Sequence, residues 1–246
     1  MRTGNPTLNA QTFAGYAGAV GERAMTIEGT VNKTGLLLVL VLLGAAWTWW
    51  LFFTAGIEAV MPYIIGGAIG GLVLALVTVF KKEWAMVTAP AYAAVEGLML
   101  GGLSAWFESQ FPGIVLQAVG LTFGILFALL MAYKSGLIKA TENFKLGVVA
   151  ATGGIFLVYL ATMLLGFFGV AVPYIHGSGP IGILFSLFVV VIAALNLVLD
   201  FDFIEKGAEV GAPRYMEWYA AFGLMVTLIW LYIEILRLLA KMRSRR

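Results

Sequence analysis

The apolar positions of this chain neither alternate nor keep to one narrow stripe; they run on. Seven stretches are almost continuously apolar: Gly35–Gly56, Ala59–Phe80, Trp84–Phe107, Gly113–Tyr133, Leu146–Ala171, Ile181–Phe201 and Tyr215–Ala240. Crossing roughly 30 Å of hydrocarbon takes about 20 such residues in a helix, so each run predicts a transmembrane span. The strands of a membrane barrel would alternate over segments of about ten residues, and these runs do not. Helix breakers fall between the runs, at Pro112-Gly113, Pro173, Gly177-Ser178-Gly179-Pro180 and Gly211-Ala212-Pro213. The connections are short, so consecutive helices should be antiparallel neighbours. The expected fold is an all-α membrane protein, a seven-transmembrane-helix bundle over residues 35–240. A polar arm, 1–34, precedes it and a basic tail, 241–246, follows. Gly15, Gly18 and Gly21 favour a flexible arm over an interfacial helix. The first run starts too late and is too long for a cleaved signal peptide, so it reads as an uncleaved span.

Composition sharpens the class. Of the 246 residues 61% are hydrophobic and 11% charged, against about 25% charged in soluble domains. A mean hydropathy of +0.97 leaves too little polar surface to cover a water-soluble core of this size. Soluble enzymes, nucleic-acid modules and disordered chains are excluded. The chain has no Cys and a single His, which removes disulfides, thiolate chemistry and multi-His metal or haem ligation. Nucleophile-elbow, zinc-helix, phosphate-loop and dinucleotide motifs are absent. No enzymatic activity and no resident cofactor are expected.

The basic residues set an orientation. Arg2, Arg23 and Lys33 precede the first span; Lys81, Lys82, Lys134, Lys139, Lys145, Lys206 and Arg214 lie in alternate connections. The intervening connections carry Glu58, Glu108 and His176 instead. This pattern predicts a cytoplasmic N-terminus. The tail, with Lys241, Arg243, Arg245 and Arg246, runs against the rule: either the seventh run crosses regardless or a late segment is re-entrant. Trp84, Trp106 and Trp218 read as interfacial anchors, and Trp47, Trp49 and Trp50 as lipid-facing or packing bulk. Small residues at helical spacing, among them Gly66 and Gly70, Gly67 and Gly71, Ala93 through Ala105, and Gly120 and Gly124, predict close helix packing.

An ionisable side chain inside a span costs about 2.5–3.5 kcal/mol to insert and is a functional candidate by default. Glu96 lies at the middle of the third run. It should face the interior, within reach of the sixth or seventh helix. Asp200 and Asp202 end the sixth run, and Asn196 stands one turn before Asp200 on the same face. Acids at i and i+2 point to different sides, so only one should face the core; Asp202 reads as a residue of the membrane rim. Glu217 opens the seventh run. Glu234 and Arg237, at i and i+3, read as an intrahelical ion pair. His176 reads as a solvated loop residue.

Three segments carry a resemblance: Leu199-Asp200-Phe201-Asp202-Phe203-Ile204-Glu205-Lys206, Ile235-Leu236-Arg237-Leu238-Leu239, and Glu96-Gly97-Leu98-Met99-Leu100-Gly101-Gly102-Leu103-Ser104 followed by Phe107-Glu108. Their order and spacing resemble the Bax inhibitor family, including its bacterial members. The resemblance implies a bundle with a central last helix and a pH-sensitive calcium leak. It also implies a pH sensor made of two aspartates, one on each of the last two spans. Asp200 matches the first. With Arg237 aligned to the family's arginine, the second falls on Thr227, so the di-aspartyl pattern is incomplete. Glu96 is the candidate for the missing carboxylate, and Glu217 another.

The reading is therefore a multi-pass bacterial inner-membrane protein that passes calcium or other cations passively under control of pH. Its partners would be the lipid bilayer and those cations, held transiently and not as a cofactor, and not nucleic acid. Two other readings stay open. One is a non-conducting regulator of membrane stress or protease systems. The other is a secondary transporter, whose broken helices Pro62 and Pro90 would supply.

Overall fold

A computed structural model describes residues 24–169 and 177–245. Residues 1–23 of the polar arm, Pro173, His176 and Arg246 lie outside the described residues.

Among the described residues seven long helices form: α1 (Ile27–Ala55), α2 (Ile57–Phe80), α3 (Ala85–Gln110), α4 (Ile114–Lys134), α5 (Glu142–Phe167), α6 (Pro180–Glu209) and α7 (Met216–Ser244). All seven are long and apolar enough to cross a bilayer. A short 3₁₀ turn, Lys82–Trp84, leads into α3. The first helix begins at Ile27, not Gly35, because Thr26 caps it: its hydroxyl accepts from the Gly29 N–H at 2.9 Å. The last helix likewise runs past Ala240 to Ser244. Pro62 and Pro90 lie inside α2 and α3, and both helices continue through them. The broken spans that a transporter reading requires are not formed at either proline.

Between α1 and α2 the chain turns at one residue, Gly56, whose φ of 84° suits glycine. Both helices then pack chiefly on α3. Small residues make this possible. A Cβ on Gly97 would run into the backbone of Val41, and one on Gly101 into the backbone of Ala45. On the other side, Gly67 and Gly71 admit Met99 and Glu96 of α3. Lipid tails are as apolar as the side chains, so close backbone approach replaces hydrophobic burial as the source of cohesion. The other small-residue rows differ. Gly66, Gly120 and Gly124 have no atom within 4 Å of where a Cβ would stand, and so take no part in packing.

The last helix is central: α7 touches α1, α3, α4 and α6. Its core neighbours include Leu197, Phe201 and Ile204 from α6 and Ile114 and Ala118 from α4. Tyr92 of α3 meets Phe222 edge-on, with ring centroids 5.0 Å apart. α5 is peripheral and packs mainly on α6. Large apolar residues of the outer helices, such as Leu43, Trp47, Trp50, Ile69, Leu116 and Phe156, point outward, as lipid contact demands. Trp84 and Trp106 are exposed near helix ends. Trp218 is instead part of the packing, with Lys33 Nζ 5.4 Å from its ring centroid.

Candidate functional site

Three polar residues on α5, Lys145, Thr152 and Tyr159, follow one another at intervals of seven, which places them on one face of a helix. Each meets a polar partner across the seam. The Lys145 ammonium, almost fully buried, pairs with Asp202 Oδ2 at 2.9 Å. Asn196 Nδ2 donates to Thr152 Oγ1 at 2.9 Å and to the Ile192 carbonyl at 2.8 Å. The Tyr159 hydroxyl donates to the Glu234 carboxylate at 3.1 Å. Fourteen residues of helix separate the first from the last of these, or about 21 Å at 1.5 Å per residue. The file of polar groups is therefore about two thirds as long as a hydrocarbon core is thick.

Both ends of the file are reinforced. Lys206 Nζ, one turn along α6, pairs with Asp202 Oδ1 at 2.7 Å, and Glu142 reaches Lys145 at 3.2 Å. At the other end Arg237 Nη1 pairs with Glu234 Oε1 at 3.1 Å, and its guanidinium lies 5.8 Å from the Tyr159 ring centroid. Between the ends stand Asp200, fully buried, and Thr227, whose hydroxyl donates to the Gly223 carbonyl at 3.3 Å.

Both aspartates of α6 are buried, Asp200 completely and Asp202 to within 7%. The expectation that only one would face the interior fails because this stretch of α6 has no outward side. Every residue from Asn196 to Ile204 is buried among α4, α5 and α7. Asp202 is accordingly paired inside the bundle instead of standing solvated at its rim.

Glu217 belongs to a separate cluster. Its carboxylate accepts from the Thr26 N–H at 3.0 Å and the Thr26 hydroxyl at 2.9 Å, and it pairs with Lys33. Arg214 stands 4.0 Å away. Gly29 has no side chain because the Glu217 carboxylate occupies that place. One acid thus clamps the start of α1 to the start of α7.

Glu96 is buried, as its position required, but it turns elsewhere than expected. Its carboxylate lies against Gly71 of α2, beside Tyr92, and not toward α6 or α7. Among the described residues no hydrogen bond or ion pair reaches it. The phase of α3 explains the difference: Gly97 and Gly101 face α1, and this rotation carries Glu96 to the α2 side. The structure brings together Asp202 with Lys145, and Glu234 with Arg237, but not Glu96 with Asp200.

The other side of α7 differs in kind. A crevice of about 380 Å³ opens there, lined by α1, α3, α4 and α7 residues such as Leu38, Trp49, Leu100, Val119 and Leu228. Its main polar feature is the Ser104–Tyr232 hydroxyl pair, at 2.6 Å. An apolar crevice gives a cation nothing to replace its water, whereas the α5–α6–α7 file offers carboxylate, amide and hydroxyl oxygens. Among the described residues no three acidic or histidine side chains are grouped to hold a metal ion.

A family model described as Bax inhibitor 1 like matches residues 5–244, nearly the whole chain. The chain belongs to the Bax inhibitor 1-like family. With seven candidate spans it is a multi-pass membrane protein of that family. No individual curated protein matches it. In this Bax inhibitor 1-like protein the cross-helix contacts of the file join Asn196, Asp202 and Glu234, which stand out in the sequence, to Lys145, Thr152 and Tyr159, which do not. Lys145 counts as a loop charge in the run pattern, yet it lies inside α5. Thr152 and Tyr159 are neutral residues of an apolar run, with no charge to mark them. The seven-residue interval from Lys145 is the signal that the sequence carries.

Proposed function

We propose that this protein is a pH-modulated passive cation leak, with calcium as its ion, and that the polar file along α5, α6 and α7 is its path. The observation that carries the reading is the run of three cross-helix polar contacts on α5, with a fully buried Asp200 between them. Buried polar groups in a membrane are expensive, and a chain needing only a stable bundle could have packed apolar residues there. Calcium takes six to eight oxygens. The separated carboxylates Asp202, Asp200 and Glu234 are therefore waypoints that a cation visits and leaves, and not a storage site.

We assign α5 as the gate. It is held to the bundle by one small apolar cluster around Ile155, Val189 and Ile192 and by its three polar contacts. A cation reaching Asp202 competes with Lys145, and a proton added to a file carboxylate changes which helix it holds. Asp200 is the titrating centre we assign. Glu96, remote from the file, is given no sensor role, and Glu217 is assigned to the α1 clamp.

The orientation proposed is N-terminus inside, in a bacterial inner membrane. It rests on Lys81, Lys82, Lys134, Lys139, Lys206 and Arg214 gathering at the end where α1 begins. The test is flux in liposomes. Purified protein should pass calcium down its gradient without a co-solute, to a degree that differs between mildly acidic and neutral pH, and empty liposomes should not. No flux under any condition would leave the non-conducting regulator as the reading. Flux that requires a solute gradient would make the protein a transporter.

A further inference from the structure

We propose that the pocket between the ends of α3, α6 and α7 binds the phosphate of an anionic phospholipid headgroup. The cavity measures about 300 Å³ and lies at the end of the bundle away from the start of α1. Arg237 and Lys241 of α7 line it, with the hydroxyls of Ser178, Ser186 and Ser244. Lys241 Nζ is steered there by Ser186 Oγ at 2.8 Å and the Gly182 carbonyl at 3.2 Å. Ser244 and Ser178 meet at 2.6 Å across its mouth.

Charge and depth identify the occupant. Arg237 has a half-exposed side chain, 48% accessible, and gives Nη1 to Glu234. A guanidinium carries five N–H donors in a fork that fits phosphate oxygens. Arg243 adds a third cation nearby, bonded to the Pro112 carbonyl at 2.7 Å and Gln117 at 3.1 Å. Against these stands Glu234. The neighbouring Glu108 is engaged in capping α4 through the Gly113 and Val115 N–H groups. Trp106, exposed one turn from the end of α3, marks the level of the membrane interface, which is where lipid phosphates lie. Phe107, Phe111, Phe185, Ala240 and the ring of Tyr159, whose hydroxyl is engaged by Glu234, make up the rest of the wall. A free phosphate ion has no use for such a wall, but it suits the glycerol and first methylenes of a lipid. Basic pockets between membrane helices hold anionic headgroups by this chemistry.

The site stands whether or not the protein conducts. The test is thermal unfolding of the full-length protein in detergent with phosphatidylglycerol, phosphatidylcholine or inorganic phosphate added. Phosphatidylglycerol should raise the unfolding temperature while the other two leave it unchanged. Arg237→Gln should weaken the phosphatidylglycerol effect about tenfold, the worth of one charge-assisted contact. Arg237 also partners Glu234, so a variant that leaves that pair intact is needed. Ser244→Glu places an anion at the mouth and should fold normally while weakening the lipid effect comparably. An equal shift from phosphatidylcholine, or from inorganic phosphate alone, would overturn the proposal. So would a phosphatidylglycerol shift that survives Ser244→Glu.

Discussion

Glu217 shows how one side chain can organise two helices. Its carboxylate satisfies the Thr26 N–H and hydroxyl and neutralises Lys33. Glu217→Ala would strip a nearly buried cation of its partner and leave two donors unmet. Removing one member of a buried pair costs about 3–5 kcal/mol, and the flexible stem of Lys33 keeps the loss near the lower figure. The expected result is a clearly lower unfolding temperature in detergent, with the start of α1 newly open to hydrogen exchange. Glu96 makes the opposite case. Its carboxylate meets Gly71 and has no hydrogen bond or ion pair among the described residues, so Glu96→Gln should leave flux and its pH profile unchanged. A changed profile would restore it as part of the sensor.

At the scale of elements, glycines decide which helices touch. A Cβ at Gly101 would strike the backbone of α1, which cannot give way as a side chain can. Gly101→Val should therefore cost about 3 kcal/mol, the upper end of ordinary overpacking, while Gly120→Val, facing open space, should be close to neutral. Paired unfolding curves check this directly. The seam of α5 gives a second expectation: Lys145→Gln removes the charged tie to Asp202, so α5 should exchange its amides faster and flux should rise several-fold. The sequence shows the helices plainly, since a run of 20 apolar residues has one sensible use. It does not show their rotation. Glu96 faces α2, and Asp200 and Asp202 are both enclosed, because the phase of each helix is set by where its neighbours approach. Lys145 stayed hidden because a lysine beside a connection reads as a solvated charge until a buried aspartate is placed opposite it.

Across the whole molecule α7 divides two environments, an apolar crevice toward α1, α3 and α4 and a polar file toward α5 and α6. It also runs the full length of the bundle: Arg243 bonds Pro112 at the end opposite Lys33 and Glu217. The described chain thus starts and finishes at opposite ends, without a re-entrant segment in α7. A reporter joined after Arg246 should then read extracytoplasmic. A cytoplasmic reading would contradict seven crossings.

The central claim is that cations pass along the α5–α6–α7 file under the control of a buried acid. The pH profile of calcium flux through Asp200→Asn in proteoliposomes tests it most directly. The variant should fold, still pass calcium and no longer respond to pH; a profile identical to that of the unaltered protein would overturn the assignment of Asp200.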